Sequence, residues 1–119
     1  FQDIYSLLNS AGHFVFLVPH PIGIIANRSK WIKCFFKQNI SYFDNFTFRS
    51  KLRLTDNSWK KVSDYFHSFS EYLNCAIEAG FKIIKIYEPK PMPALVAKYP
   101  DMKYDTLWPT CLIVQAQKE

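Results

Sequence analysis

Two histidines stand where an imidazole could do chemistry. His20 lies between Pro19 and Pro21, directly after the apolar run H-F-V-F-L-V (13–18). A loop leaving the C-terminal end of a buried strand is where open α/β sheets put their ligands. From there an imidazole can orient or deprotonate a nucleophilic oxygen or nitrogen. The plainer alternative is a loop-capping histidine bonded to backbone. His67 immediately precedes a helix N-cap, where it either faces a substrate or packs as an N-terminal staple. These two are the candidate catalytic residues. Tyr42, Phe43, Trp59 and Tyr65 lie in or beside the middle of the chain. Aromatic walls suit a flat or apolar small substrate; the alternative is that these rings form a small core of their own. With His20 and His67 they make up the expected substrate-contact set. Arg49, Lys51 and Arg53 form a basic stripe, either a solvated strand face or a surface for an anionic partner.

The elements that must position these residues are clearest from His67 to Pro91. Ser68 with Glu71 three residues on is a capping box: the hydroxyl takes an orphan N–H while the carboxylate reaches back. Tyr72, Leu73, Ala76 and Ile77 fall on one helical stripe, and Gly80 supplies the left-handed residue that ends the helix. Phe81 to Tyr87 follows as an apolar strand closed by Glu88-Pro89. A capped helix feeding a strand is half of an α/β unit.

The rest of the chain hangs on that unit. Phe1 to Asn9 has the spacing of a helix end, stopped by Ser10-Ala11-Gly12. His13 to Val18 suits a strand buried on both faces, and P-H-P-I-G reads as a loop. Ser29 to Lys37 can form a short helix. Thr47 to Leu54 alternates strictly, with Phe48, Leu52 and Leu54 opposite Arg49, Lys51 and Arg53. Thr55-Asp56-Asn57-Ser58 is turn chemistry, and Trp59 to Phe66 is the return strand of a β-hairpin. Residues 21–66 thus read as an insertion or lid on the ligand-facing rim. Pro89 to Pro109 reads as a loop with at most one helical turn, around Ala94 to Lys98. Thr110 to Ala116 is a last buried strand. Three core strands leave the Phe14–Val18 strand with a bare edge, which the missing part of a larger sheet, or a partner chain, would cover.

Composition bounds the function. With 49% apolar and 18% aromatic residues, 119 residues build one core, so disorder is excluded. Cys34, Cys75 and Cys111 are far apart with no C-x-x-C, which argues against a disulfide framework or a zinc site and for buried thiols in a reducing compartment. No metal site is expected. No apolar run reaches the ~20 residues of a membrane span, and no signal peptide is evident, so a cytoplasmic location is expected. The chain begins at Phe1 inside a helical pattern, which suggests a piece of a longer protein. The net charge of +5 is concentrated between Arg28 and Lys61, between two mildly acidic flanks.

Four segments resemble the C-terminal half of a class I S-adenosylmethionine-dependent methyltransferase of the small-molecule, type 11-like kind: L-N-S-A-G-H-F-V-F-L-V-P-H-P (8–21), Y-F-D (42–44), Y-F-H-S-F-S-E-Y-L-N-C-A-I-E-A-G-F (65–81) and Y-E-P-K-P (87–91). The terminal W-P-T-C-L-I-V-Q-A-Q-K (108–118) is similar to the family's closing strand. The resemblance implies a partial Rossmann-like sheet made of its last three strands, the final one antiparallel between its neighbours. It also implies that H-P at His20 borders the substrate cavity. Where the family usually continues with Arg after the His67 position, this chain has Ser68. The cofactor would be S-adenosyl-L-methionine, held in family members by a glycine-rich loop and an acidic residue. Neither has a counterpart here, so no cofactor-binding residue is assigned in this chain. Methyl transfer itself asks little of side chains, because positioning supplies much of the rate.

The function expected is therefore the substrate-shaping part of a methyltransferase for a small molecule, inactive without its cofactor half. Two other classes compete. One is a basic nucleic-acid-binding module, in which Phe48, Trp59 and Tyr65 near the Arg49/Lys51/Arg53 stripe would form a stacking platform; against it, Phe48 points away from Arg49. The other is a non-catalytic fragment whose strand edge pairs with a partner.

Overall fold

The computed structural model describes residues 1–27 and 42–119. The short helix expected over Ser29–Lys37, and Cys34, lie outside them. In chain order come α1 (Gln2–Leu7), β1 (His13–Pro19), α2 (Pro21–Asn27), β2 (Thr47–Arg53), β3 (Trp59–Tyr65), α3 (Phe69–Glu78), β4 (Phe81–Tyr87), α4 (Pro93–Lys98), a 3-10 segment (Pro100–Thr106) and β5 (Cys111–Lys118). Among the described residues the strands form a sheet ordered β1-β5-β4 and a separate β2-β3 hairpin.

The closing strand β5 is antiparallel to both of its neighbours, so β1 and β4 run in the same direction. That arrangement brings the end of β1, the end of β4 and the start of β5 to one end of the sheet. It is a mixed α/β architecture, and β1 and β4 are the edges of this sheet.

One face of the sheet is the core. Leu112, Val114 and Ala116 alternate along β5 and are fully buried, each as the inward member of a period-2 strand. Phe16 and Phe14 lie opposite Val114 and Ala116 in register. Burying a side chain of Leu or Val size contributes about 1.5–3 kcal/mol. Over this face lie Tyr5 and Leu8 from the α1 end, and Phe69, Tyr72, Leu73 and Ala76 from α3. Ile77, expected on the same stripe, is exposed instead; it sits on the flank of a ten-residue helix whose packed face is narrower than its apolar face. Cys75 is exposed too, not buried.

The helix ends of this layer are satisfied differently. The Ser68 hydroxyl accepts from the Glu71 backbone N–H at 3.3 Å, as a capping box requires. The Glu71 carboxylate does not complete the box, however; it turns to His67. Gly80 ends α3 at φ +99° against the Tyr5 ring, a backbone region open to glycine at little cost. At the end of α1, the Lys118 ammonium donates to the carbonyls of Tyr5 and Leu8 at 2.8 and 2.9 Å. A cation there satisfies orphan carbonyls and complements the helix dipole.

The opposite face of β1 is not covered by the described residues. Val15 is 59% and Leu17 63% exposed, so the strand expected to be buried on both sides is buried on one. The apolar run fits a strand between two layers, and the described residues supply only one. Two further segments differ from expectation. P-H-P-I-G opens a helix, α2, rather than a loop, because Pro21 is at the first helical position, where a missing N–H is harmless. The Pro89–Pro109 stretch holds both α4 and the 3-10 segment.

Candidate functional site

His20 stands at the end of the sheet where β1 and β4 finish and β5 begins. Its backbone N–H donates to the Thr110 carbonyl at 3.0 Å, and its own carbonyl accepts from Ile24. Its side chain acts as the cap of α2: ring Nδ1 lies 3.1 Å from the Ile22 N–H, which donates to it. Nδ1 must then be the unprotonated nitrogen, so Nε2–H donates to Glu88 Oε1 at 2.7 Å. The ring is 1% exposed and leans on Phe69. Both ring nitrogens are thus engaged within the chain, in the capping arrangement. The exposed part of the pair is Glu88, whose side chain is half open to solvent.

His67 has a different setting. Its Nδ1 is 3.0 Å from Glu71 Oε1, and its ring is partly exposed with Tyr72 packed edge-on at 5.5 Å. Burial, with Glu71 and then Asp64 adding negative potential, raises the Tyr72 phenol above its ordinary 10.0. His67 also lines an open hollow of about 500 Å³ with Asn45, Phe46, Thr47, Tyr65 and Phe66. A carboxylate on Nδ1 fixes the ring and leaves Nε2 as the proton-accepting nitrogen of the neutral form. A histidine held this way beside aromatic walls can orient or deprotonate a bound hydroxyl or amine.

The aromatic candidates divide. Tyr42 works from behind the hollow: its hydroxyl accepts from the Phe69 N–H at 3.1 Å, satisfying an orphan donor at the start of α3. Its ring packs edge-on against fully buried Phe66, which stacks on Phe46 at 4.5 Å. Those rings form a small core under the hairpin, and Phe43 meets Tyr42 from its exposed side. Tyr65 reaches the hollow. Trp59 does not share it: six residues up the same strand, it lies about 20 Å away at the hairpin's far end.

A second hollow, of about 220 Å³, is lined by Glu88–Lys90 and Asp105–Pro109. Trp108 Nε1 is buried there without an acceptor among the described residues. Sequence reading missed Glu71 and Glu88 as the histidines' partners. The signal available for Glu88 was its position at the end of β4, the sheet end that also holds His20.

No three His, Cys, Asp or Glu side chains cluster as metal ligands among the described residues. Nor do the glycines form a cradle for a nucleoside cofactor. Gly80 ends a helix, and Gly23 lies in α2 pressed against the Pro109 carbonyl, where a Cβ would stand 2.6 Å from the oxygen. These residues do not fit the S-adenosylmethionine site that the resemblance implies. No described helix is long and apolar enough to cross a membrane.

The fold has solved counterparts. A methyltransferase dependent on S-adenosylmethionine from Mesorhizobium loti matches with a TM-score of 0.61 at 17% identity, over 98% of this chain and 53% of that one. A protein from Listeria monocytogenes assigned to the same activity matches with a TM-score of 0.67 at 22% identity, over 99% of this chain and 53% of that one. The chain thus spans about half the length of these structures, and the likeness is one of fold. No protein-family model matches, and a search of curated proteins finds no match.

Proposed function

We propose that these residues are the C-terminal, substrate-shaping part of an S-adenosylmethionine-dependent methyltransferase acting on a small molecule, with the cofactor held by residues outside them. The observation that carries this reading is topological. A closing strand antiparallel between two strands of common direction, with a helix feeding β4, coincides along almost the whole chain with half of two methyltransferase structures. In this reading the bare edge and outer face of β1 receive the other half of the sheet. The hollow at the base of the hairpin is the substrate side. Tyr65 supplies a wall, His67 held by Glu71 orients or deprotonates the methyl-accepting oxygen or nitrogen, and Tyr42 positions the helix start that carries His67. His20 sets the shape of the same sheet end through Glu88.

Isothermal calorimetry tests the reading. The isolated 119 residues bind S-adenosylmethionine weakly or not at all, whereas the intact protein binds it and transfers its methyl group. Micromolar binding to the isolated residues would overturn the division of labour. Absence of cofactor binding by the intact protein would overturn the function.

A further inference from the structure

The hairpin's pairing puts onto one face residues that the chain separates. Lys51 lies directly opposite Lys61, Arg49 opposite Ser63, and Thr47 opposite Tyr65. Because side chains of directly paired residues share a face, the face holding Arg49 and Lys51 also holds Trp59, Lys61, Ser63 and Tyr65. Phe48, Leu52 and Asp64 are on the other. Phe48 does point away from Arg49, but the return strand brings two different rings to the basic side. Trp59 is 63% and Tyr65 69% exposed. Each is the diagonal neighbour of a cation, Trp59 of Lys51 and Tyr65 of Arg49, a separation that aromatic and long side chains bridge.

Two lysines directly opposite one another repel and destabilise the ladder. No acidic residue occupies this face along Thr47–Lys51 or Trp59–Tyr65. An anion lying across Lys51 and Lys61 removes the repulsion. The occupant must also explain two exposed rings spaced along the strand, and a polyanion that carries flat π-faces does so. Stacking of bases on aromatic side chains beside a cationic track is how single strands are held without sequence preference. The track ends at Tyr65 and Thr47, both of which line the hollow beside His67.

We propose that the Arg49/Lys51/Lys61 face of the hairpin, flanked by Trp59 and Tyr65, binds a single-stranded nucleic acid, with phosphates on the cations and bases stacked on the two rings. The inference is independent of methyl transfer and stands or falls separately from it.

The test uses the intact protein and a fluorescein-labelled oligouridylate of about 12 nucleotides, followed by anisotropy across a salt series. Three phosphates neutralised on a single strand give a log–log salt slope of about −2. Lys51→Gln with Lys61→Gln reduces the slope to about −0.7 and weakens binding at low salt. Trp59→Ala and Tyr65→Ala each weaken binding about 5- to 100-fold with the slope unchanged. These substitutions fall on exposed positions, and far-UV circular dichroism confirms the fold of each variant. Binding that ignores all three variants overturns the proposal. So does stronger attachment to phosphatidylserine vesicles than to the oligonucleotide, and so does equal binding of a duplex that is insensitive to Trp59→Ala.

Discussion

His20 Nε2 lies 2.7 Å from Glu88 Oε1, joining residues 68 positions apart at the ends of two strands that are not paired with each other. The same ring caps α2 through Nδ1, so one side chain locks β1, α2 and β4 into a common frame. Its removal strips a helix cap, strands a carboxylate and opens a space in the interior. His20→Ala is expected to cost about 2–4 kcal/mol. Glu88→Gln retains an acceptor oxygen at a half-exposed position and costs about 1 kcal/mol or less. Urea unfolding of the intact protein reads both; equal losses would show that the bond, not the buried ring, dominates.

The approach of α2 to the start of β5 is equally demanding. A Cβ on Gly23 would stand 2.6 Å from the Pro109 carbonyl oxygen and 2.9 Å from Thr110 Cα, both backbone atoms. Neither can swing away as a side chain does. Gly23→Ala therefore forces α2 off the sheet end and is expected to cost about 1–3 kcal/mol, despite the better helix propensity of alanine. A thermal midpoint equal to or above that of the parent would refute the contact.

Tyr72 makes stability depend on pH at the alkaline end. Its folded pKa is raised by burial first and by Glu71 and Asp64 second. The unfolded chain therefore loses the phenolic proton at a lower pH than the folded one. The contribution is fully present below the ordinary value of 10.0 and is lost as pH rises from there through the raised folded value. Tyr72→Phe cannot ionise, so its unfolding free energy is expected to fall less between pH 9.5 and 11.5 (roughly that window,) than that of the parent. Chemical denaturation at a series of alkaline pH values measures the difference.

How legible these features were depends on whether a local signal existed. Strand β4 lies where read, because Gly80, seven apolar-biased residues and Glu88-Pro89 bracket it. The hairpin followed from alternation and the Thr55–Ser58 turn, where Asp56 accepts from the Ser58 N–H and hydroxyl. Those bonds, the side-chain one first, hold the Asp56 carboxyl below its ordinary range. Helix α2 was hidden because prolines flanking a histidine look like loop, and only the local bond from the Ile22 N–H back to the His20 ring shows a cap. The site was half legible. Position marked His20 and His67, but their carboxylate partners are chosen by packing; Trp59 and Tyr65 were legible as rings near the basic stripe, whereas the pairing register that sets both on its face was not.

The open side of β1 predicts association. Val15 and Leu17 are apolar, largely exposed and carried by an edge strand. Such an edge is a template for pairing with another chain. The isolated 119 residues are expected to be poorly soluble and to form oligomers in sedimentation velocity. Val15→Lys with Leu17→Lys is expected to shift them towards monomer without loss of helical circular dichroism. A parent that sediments as a monomer with a sharp unfolding transition would count against a covered β1.

His67 and Glu71 provide the sharpest test of the proposed chemistry, because the cap of α3 uses the Glu71 backbone and not its carboxylate. Glu71→Gln therefore leaves the helix start intact while replacing the anion that orients the ring. In the intact protein, His67→Gln is expected to lower kcat about 100-fold, with a smaller change in KM. Glu71→Gln should produce a lesser fall in kcat, since a neutral amide holds the His67 ring less firmly than the carboxylate 3.0 Å from its Nδ1, with the unfolding free energy little changed. Were His67 merely a packing residue, His67→Gln would lose stability and both variants would keep kcat unchanged. A loss confined to KM would instead make His67 a substrate contact with no part in proton transfer.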